Sequence, residues 1–140
     1  MSAFRISFEV PGNPVPKQRA QVGSHGAYYP ARSPRSKRLS YPEYRELVQR
    51  ECRLVLWGVK GVTSHQYDAW RIGAWGLKVT AWVGAGDGDN IIGSVADALS
   101  GILWENDKQV AHWECNVIRT TPKQYRGVTV EAWVLGQEGD

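Results

Sequence analysis

Between Leu77 and Leu99 the apolar residues change period, and that change restricts the fold more than any other feature of the chain. Leu77, Val79, Ala81 and Val83 alternate with Lys78, Thr80 and Trp82, the two-residue repeat of a strand with one buried face. Gly84-Ala85-Gly86 stops the alternation. Ile91, Ile92, Val95, Leu99, Ile102 and Leu103 then recur at helical spacing, which predicts a helix from about Asn90 to Leu103. A strand running directly into an amphipathic helix calls for a sheet with helices packed on it.

The flanking segments agree. Arg5 to Val10 alternates, which predicts a first strand with Ile6, Phe8 and Val10 inward. Pro11-Gly12-Asn13-Pro14-Val15-Pro16 breaks regular structure. Residues 17 to 39 read as a long loop, with a short pairing segment at Ala27-Tyr28-Tyr29. Ser40 and Glu43 form a capping box with Pro42 near the first helical position. Tyr44, Leu47, Val48, Cys52, Leu54 and Val55 form the apolar face of that helix, which ends near Gly58. In the connection from 58 to 73, Tyr67 and Trp70 are expected over the core edge. Val110 to Ile118 predicts a strand with Ala111, Trp113, Cys115 and Val117 on one side; Pro122 to Gly127 turns, and Val128, Val130, Ala132 and Val134 form the last strand. The expectation is an α/β chain of the α+β type, one domain over residues 1–140, with two main helices on a single mixed sheet.

The junction between that strand and helix concentrates charge. Asp87 and Asp89 stand one residue apart, and Asp107 follows the helix. Crowded carboxylates repel each other unless a cation sits between them. Formal net charge is +3, and the basic residues are unevenly placed. No acidic residue lies between Glu9 and Glu43, whereas Lys17, Arg19, Arg32, Arg35, Lys37 and Arg38 all do. Such a segment has the electrostatics of a phosphate-binding arm, or of a solvated basic loop. Together the two features suggest a divalent-metal site facing a negatively charged substrate.

Simpler readings explain part of this. Asp and Asn before a helix are ordinary N-caps, which accounts for Asp89 or Asn90, less well for Asp87, and not at all for Asp107. A calcium-binding EF-hand fails: Ile91 stands where an oxygen ligand is needed, Ile92 where glycine is needed and Ala98 where a bidentate glutamate is needed. Asp97, two turns into the helix, either faces the site or is polar on the exposed side. Cys52 and Cys115 have no metal-ligand spacing, and His25, His65 and His112 are scattered, so zinc is not supported. Neither a signal peptide nor an apolar run of spanning length is evident; a cytoplasmic protein with no membrane association is expected.

Asp87-x-Asp89-Asn90 with Asp97-Ala98-Leu99, followed by Trp104-x-x-Asp107-x-Gln109-Val110, resembles the signature of the RusA family of Holliday junction resolvases. Gly12-x-Pro14-Val15-Pro16-Lys17-x-Arg19 resembles that family's N-terminal segment. The resemblance runs from about residue 6 to residue 118. It implies a homodimeric, Mg²⁺-dependent endodeoxyribonuclease, with Mn²⁺ able to substitute, that resolves four-way DNA junctions by paired symmetric nicks in recombination and repair. It implies Asp87, Asp89 and Asp107 as metal-binding catalytic carboxylates. Lys17 is the candidate catalytic cation; Lys17, Arg19, Arg32, Arg35, Lys37 and Arg38 are the candidate DNA contacts. An all-oxygen donor set favours magnesium or manganese over zinc.

Two departures stand out. Where the family usually carries a helical lysine, three residues after the Asn, this chain has Gly93, and the cation would have to come from Lys17, Lys108 or Lys78. Where the N-terminal segment commonly carries its last arginine, this chain has Gln21. Two further readings share these residues: a junction-binding protein weak or inactive in cleavage, for which Gly93 is the hint, and a nuclease acting on flaps or forks.

Overall fold

The computed structural model describes residues 4–17, 21–23, 26–28, 39–58, 68 and 70–135. In chain order its elements are β1 (Arg5–Pro11), β2 (Gln21–Gly23), β3 (Gly26–Tyr28), α1 (Tyr41–Trp57), β4 (Trp75–Val83), α2 (Gly88–Leu99), β5 (Val110–Arg119) and β6 (Gly127–Val134), with a 3-10 turn at Asp107–Gln109. Four strands form one mixed sheet in the order β1-β6-β4-β5. β6 runs antiparallel to both β1 and β4, while β4 and β5 are parallel. A parallel pair cannot be joined by a hairpin, and α2 lies in the crossover between these two strands. β2 and β3 pair separately as a short antiparallel ribbon, so the expected pairing segment is present through Tyr28; Tyr29 lies outside the described residues.

Alternation decides the two faces of the sheet. One row across the strands is Phe8, Val130, Val79 and Cys115; the next is Val10, Val128, Ala81 and Val117. These rows face the helices and, with Ile6, Leu77 and Ala132, form much of the core. The rows that alternate with these point to the other face; one of them is Ser7, Glu131, Lys78 and Glu114, and there Lys78 pairs with Glu114 at 3.4 Å. Trp133 lies against Gly76, where any Cβ would collide with its ring, and the Arg5 guanidinium sits 4.9 Å from the ring centroid.

α1 has the expected start. Ser40 Oγ accepts from Glu43 N at 3.2 Å and Glu43 Oε1 accepts from Ser40 N at 2.8 Å, with Gly58 at the other end. The buried residues are Tyr41, Tyr44, Val48 and Cys52, a ladder of helical spacing laid on β1 and α2. Leu54 and Val55, expected on this face, are 53% and 38% exposed, because the ladder continues through the partly buried Leu56 instead. Trp70 stacks on Phe4 at 4.7 Å, as expected of a residue at the core edge; Tyr67 lies outside the described residues.

α2 differs at both ends from the expected Asn90–Leu103. It begins two residues earlier, with Asp87 as N-cap, and stops at Leu99. Ser100 turns extended and Gly101 takes φ +91, a conformation costly for any residue with a Cβ. The Gly101 amide then donates to the Trp104 carbonyl at 2.6 Å, closing a turn that buries Ile102 and Leu103 without helix. β5 also differs: as an edge strand it buries only part of its expected face. Cys115 and Val117 pack on the core, whereas Ala111 is exposed and Trp113 is 45% exposed.

Candidate active site

The C-terminal end of β4 turns through Gly86, at φ +110, directly into Asp87. Asp87 has the extended backbone of an N-cap (φ −92, ψ 135), yet its side chain makes no capping hydrogen bond. An N-cap carboxylate normally accepts from the N2 or N3 amide, so this one is left open to another partner. Asp89 lies in the first turn, and both aspartates are exposed. The helix dipole supports negative charge at these positions.

Asp107 is held by a small structure of its own. Asn106 caps the 3-10 turn, with Oδ1 accepting from Lys108 N at 2.9 Å. Gln109 Oε1 accepts from Glu105 N at 2.8 Å and Asn106 N at 2.9 Å, while its Nε2 donates to the Arg71 carbonyl and to that of Gly73 at 2.8 Å. Trp104, fully buried, donates from Nε1 to the Ala96 carbonyl at 3.2 Å and so ties this segment to α2. Trp104 and Gln109 of the motif therefore serve as anchors for the aspartate between them.

Lys17 joins the two halves. Its backbone amide donates to the Asn90 carbonyl at 3.0 Å, fixing the N-terminal segment on the first turn of α2. Its Nζ donates to Asp107 Oδ2 at 3.3 Å. Between those points the stem passes over Gly93, where an added Cβ would lie 3.6 Å from Lys17 Cδ and 3.7 Å from Lys17 Cβ. Lys17 thus carries an ammonium across the helix face at position 93. Lys78 lies elsewhere: it pairs with Glu114 on the sheet face turned away from the helices.

Other candidates separate from the site. Asp97 accepts from the Tyr41 hydroxyl at 2.6 Å and pairs with Arg45 Nε at 3.3 Å, so it serves the α1–α2 interface. Cys115 Sγ donates to the Gly88 carbonyl at 3.4 Å; burial, then the charge of Asp89, raises its pKa, which keeps the thiol protonated and poorly nucleophilic. Arg19, Arg32, Arg35, Lys37 and Arg38 lie outside the described residues. Two arginines that the sequence reading did not single out, Arg119 and Arg126, hold the loops around Gly84 and Gly86.

Among the described residues, no group of three or more His, Cys, Asp or Glu side chains is gathered as a metal site. The donor chemistry nevertheless fits a hard dication. Mg²⁺ usually keeps several waters and takes only one or two carboxylates together with substrate phosphate. Asp87, free of its capping bond, and the exposed Asp89 offer carboxylates of that kind, while Asp107 is occupied by Lys17.

A family model described as Endodeoxyribonuclease RusA matches residues 11–131. The chain belongs to the RusA family. The match takes in Lys17, all three aspartates and the motif anchors, and it makes the protein an endodeoxyribonuclease of a family that acts on DNA junctions. No curated protein matches the chain. Among the described residues no helix is long and apolar enough to cross a membrane.

Proposed function

We propose that this protein resolves four-way DNA junctions by paired, Mg²⁺-dependent nicks, as a homodimer acting in recombination and repair. The observation that supports this most is Lys17 lying over Gly93 with its ammonium on Asp107. Gly93 is the feature that favours a binding protein without cleavage, and the Lys17 stem passing over that position supports the cleaving reading instead. Asp87, Asp89 and Asp107 are assigned to the metal. When bound, Mg²⁺, with Mn²⁺ as substitute, relieves charge on the phosphodiester and lowers the pKa of water. Lys17 balances Asp107 before substrate arrives and offers its ammonium to the scissile phosphate as negative charge builds in the transition state. The basic segment containing Arg19, Arg32, Arg35, Lys37 and Arg38 is assigned to backbone phosphates, which position DNA without reading sequence.

One set of gels tests this reading. Labelled four-way junction, flap, fork and linear duplex are incubated with wild-type protein, with and without Mg²⁺. Junction cleavage that requires the metal is expected. Asp87→Asn, Asp89→Asn and Asp107→Asn should each lower the rate by about a hundredfold or more, with junction binding and melting temperature retained. Asn caps a helix as well as Asp does, so the Asp87→Asn fold should be intact. A variant cleaving at the wild-type rate removes that aspartate from the site, and preferential cutting of flaps or forks replaces the junction as substrate.

A further inference from the structure

A cavity of about 430 Å³ opens beside the loop that leads into Asp87, lined by Asn13, Pro14, Gly84, Gly86, Thr120 and Arg126 among others. It lies where β4 ends, and open α/β sheets commonly take ligands outside the carboxyl ends of their strands. Neither Lys17 nor any of the three aspartates lines it.

Arg126 is built into this cavity from three directions. Its carbonyl accepts from the Gly12 amide at 2.9 Å, and its Nη1 donates to Asn13 Oδ1 at 3.2 Å. Its guanidinium lies over Gly84 so closely that an added Cβ there would stand 2.7 Å from Nη2. Arg119, from the end of β5, donates from Nη2 to the Gly86 carbonyl at 2.9 Å. Among the described residues neither arginine has a carboxylate partner. Glu9, on the adjacent strand, accepts from the Tyr125 hydroxyl instead. Arg126 Nε and Thr120 Oγ1 are buried without a hydrogen-bond partner, and a buried donor left unpaired is costly. Arg126, a fixed guanidinium held by neutral partners and lacking a counter-ion among the described residues, is arranged for an anion that is not part of the chain.

We propose that this cavity is a second phosphate subsite: Arg126 grips a backbone phosphate of the cut strand within a few nucleotides of the phosphate at Asp87. The assignment rests on the reading of DNA as substrate. Gly86 adjoins Asp87 in the chain, so a strand crossing the carboxylates also passes this loop. Holding a neighbouring phosphate fixes the strand in register with the reacting one, at a position where the carboxylates alone would repel it.

The test pairs the protein with chemically altered DNA. Single phosphates of one junction strand are replaced in turn by neutral methylphosphonates, and binding is measured without divalent metal so that no cleavage occurs. For wild-type protein, neutralising one phosphate near the cut should weaken binding about tenfold, the loss expected of one charge-assisted contact. Arg126→Gln should bind unmodified junction about tenfold more weakly, lose about one unit of salt slope, and be indifferent to that same methylphosphonate. Gly84→Ala should reproduce this while keeping the charge, because the new methyl group displaces the guanidinium from its seat; melting curves on both variants report folding. If both variants keep the wild-type sensitivity, or the wild type shows no sensitive phosphate near the cut, the assignment is overturned. Mg²⁺-dependent cleavage by the same wild-type sample is scored separately, so loss of the resolvase reading is distinguishable from loss of the subsite.

Discussion

At the scale of single residues, the most consequential position is one without a side chain. Gly93 lies inside α2, where glycine costs roughly 0.5–1 kcal/mol relative to alanine. The stem of Lys17 crosses the helix there on its way to Asp107, without needing the position to be bare. Gly93→Ala should therefore raise the melting temperature, since an added Cβ meets Lys17 only at ordinary contact distances of 3.6 and 3.7 Å, and cleavage should survive. Gly93→Leu should push the stem aside, separate the ammonium from Asp107 and reduce cleavage, with the fold kept. Melting curves and junction cleavage on both variants check this; full activity in the leucine variant would mean that the seat is irrelevant. The partnership was not legible in the sequence. Gly93 could be noticed as a departure and Lys17 as one of three substitutes, but a contact between residues so far apart is created by the fold. Asp97 shows the converse: its spacing from Asp89 suggested a possible site residue, and a tyrosine and an arginine from α1 claim it instead.

At the scale of elements, sequence signals predict structure where a local cause sets it. The capping box of α1 and the alternation of β1 and β4 each arise within a few residues, and each forms as expected. Misreadings fall where burial is decided by distant partners. Ile102 and Leu103 are apolar because a turn buries them, not because α2 continues, and Trp113 is exposed because β5 lies at the edge. The 3-10 turn at Asp107 is the element on which the site depends most, and Gln109 is its fastener. Gln109→Ala removes acceptors for two backbone amides and donors for two carbonyls. At a net value near 1 kcal/mol for a typical hydrogen bond, a loss of roughly 2 kcal/mol or more is expected. Cleavage should fall further than binding, because Asp107 loses its fixed position while the basic residues do not. Denaturant melts with parallel binding and cleavage assays test it; a variant as stable and active as wild type would show that the turn holds itself.

At the scale of the whole molecule, the sheet order leaves β5 with one side open: among the described residues no strand pairs beyond it. The strand also carries large exposed apolar groups, Trp113 at 45% and Ile118 at 44%, one on each face. An edge strand with exposed apolar side chains invites pairing with another chain unless it is covered. A second copy meeting it about a two-fold axis would cover both edges at once, since an isologous contact uses the same surface on each subunit. A four-way junction is itself nearly two-fold symmetric, so two symmetric sites would suit the cutting of two strands. Light scattering at micromolar concentration should therefore give twice the chain mass of 15.7 kDa. Trp113→Lys and Ile118→Lys place charge at the proposed contact and should shift the protein towards monomer. Both positions lie on the exposed surface, so circular dichroism should stay close to wild type. The functional consequence separates dimerisation from chemistry: the monomeric variants should nick single strands of a junction, while paired nicking within one binding event is lost. A wild-type protein that is monomeric at these concentrations and still makes paired nicks would refute the dimer, and wild-type dimerisation by both lysine variants would move the contact away from β5.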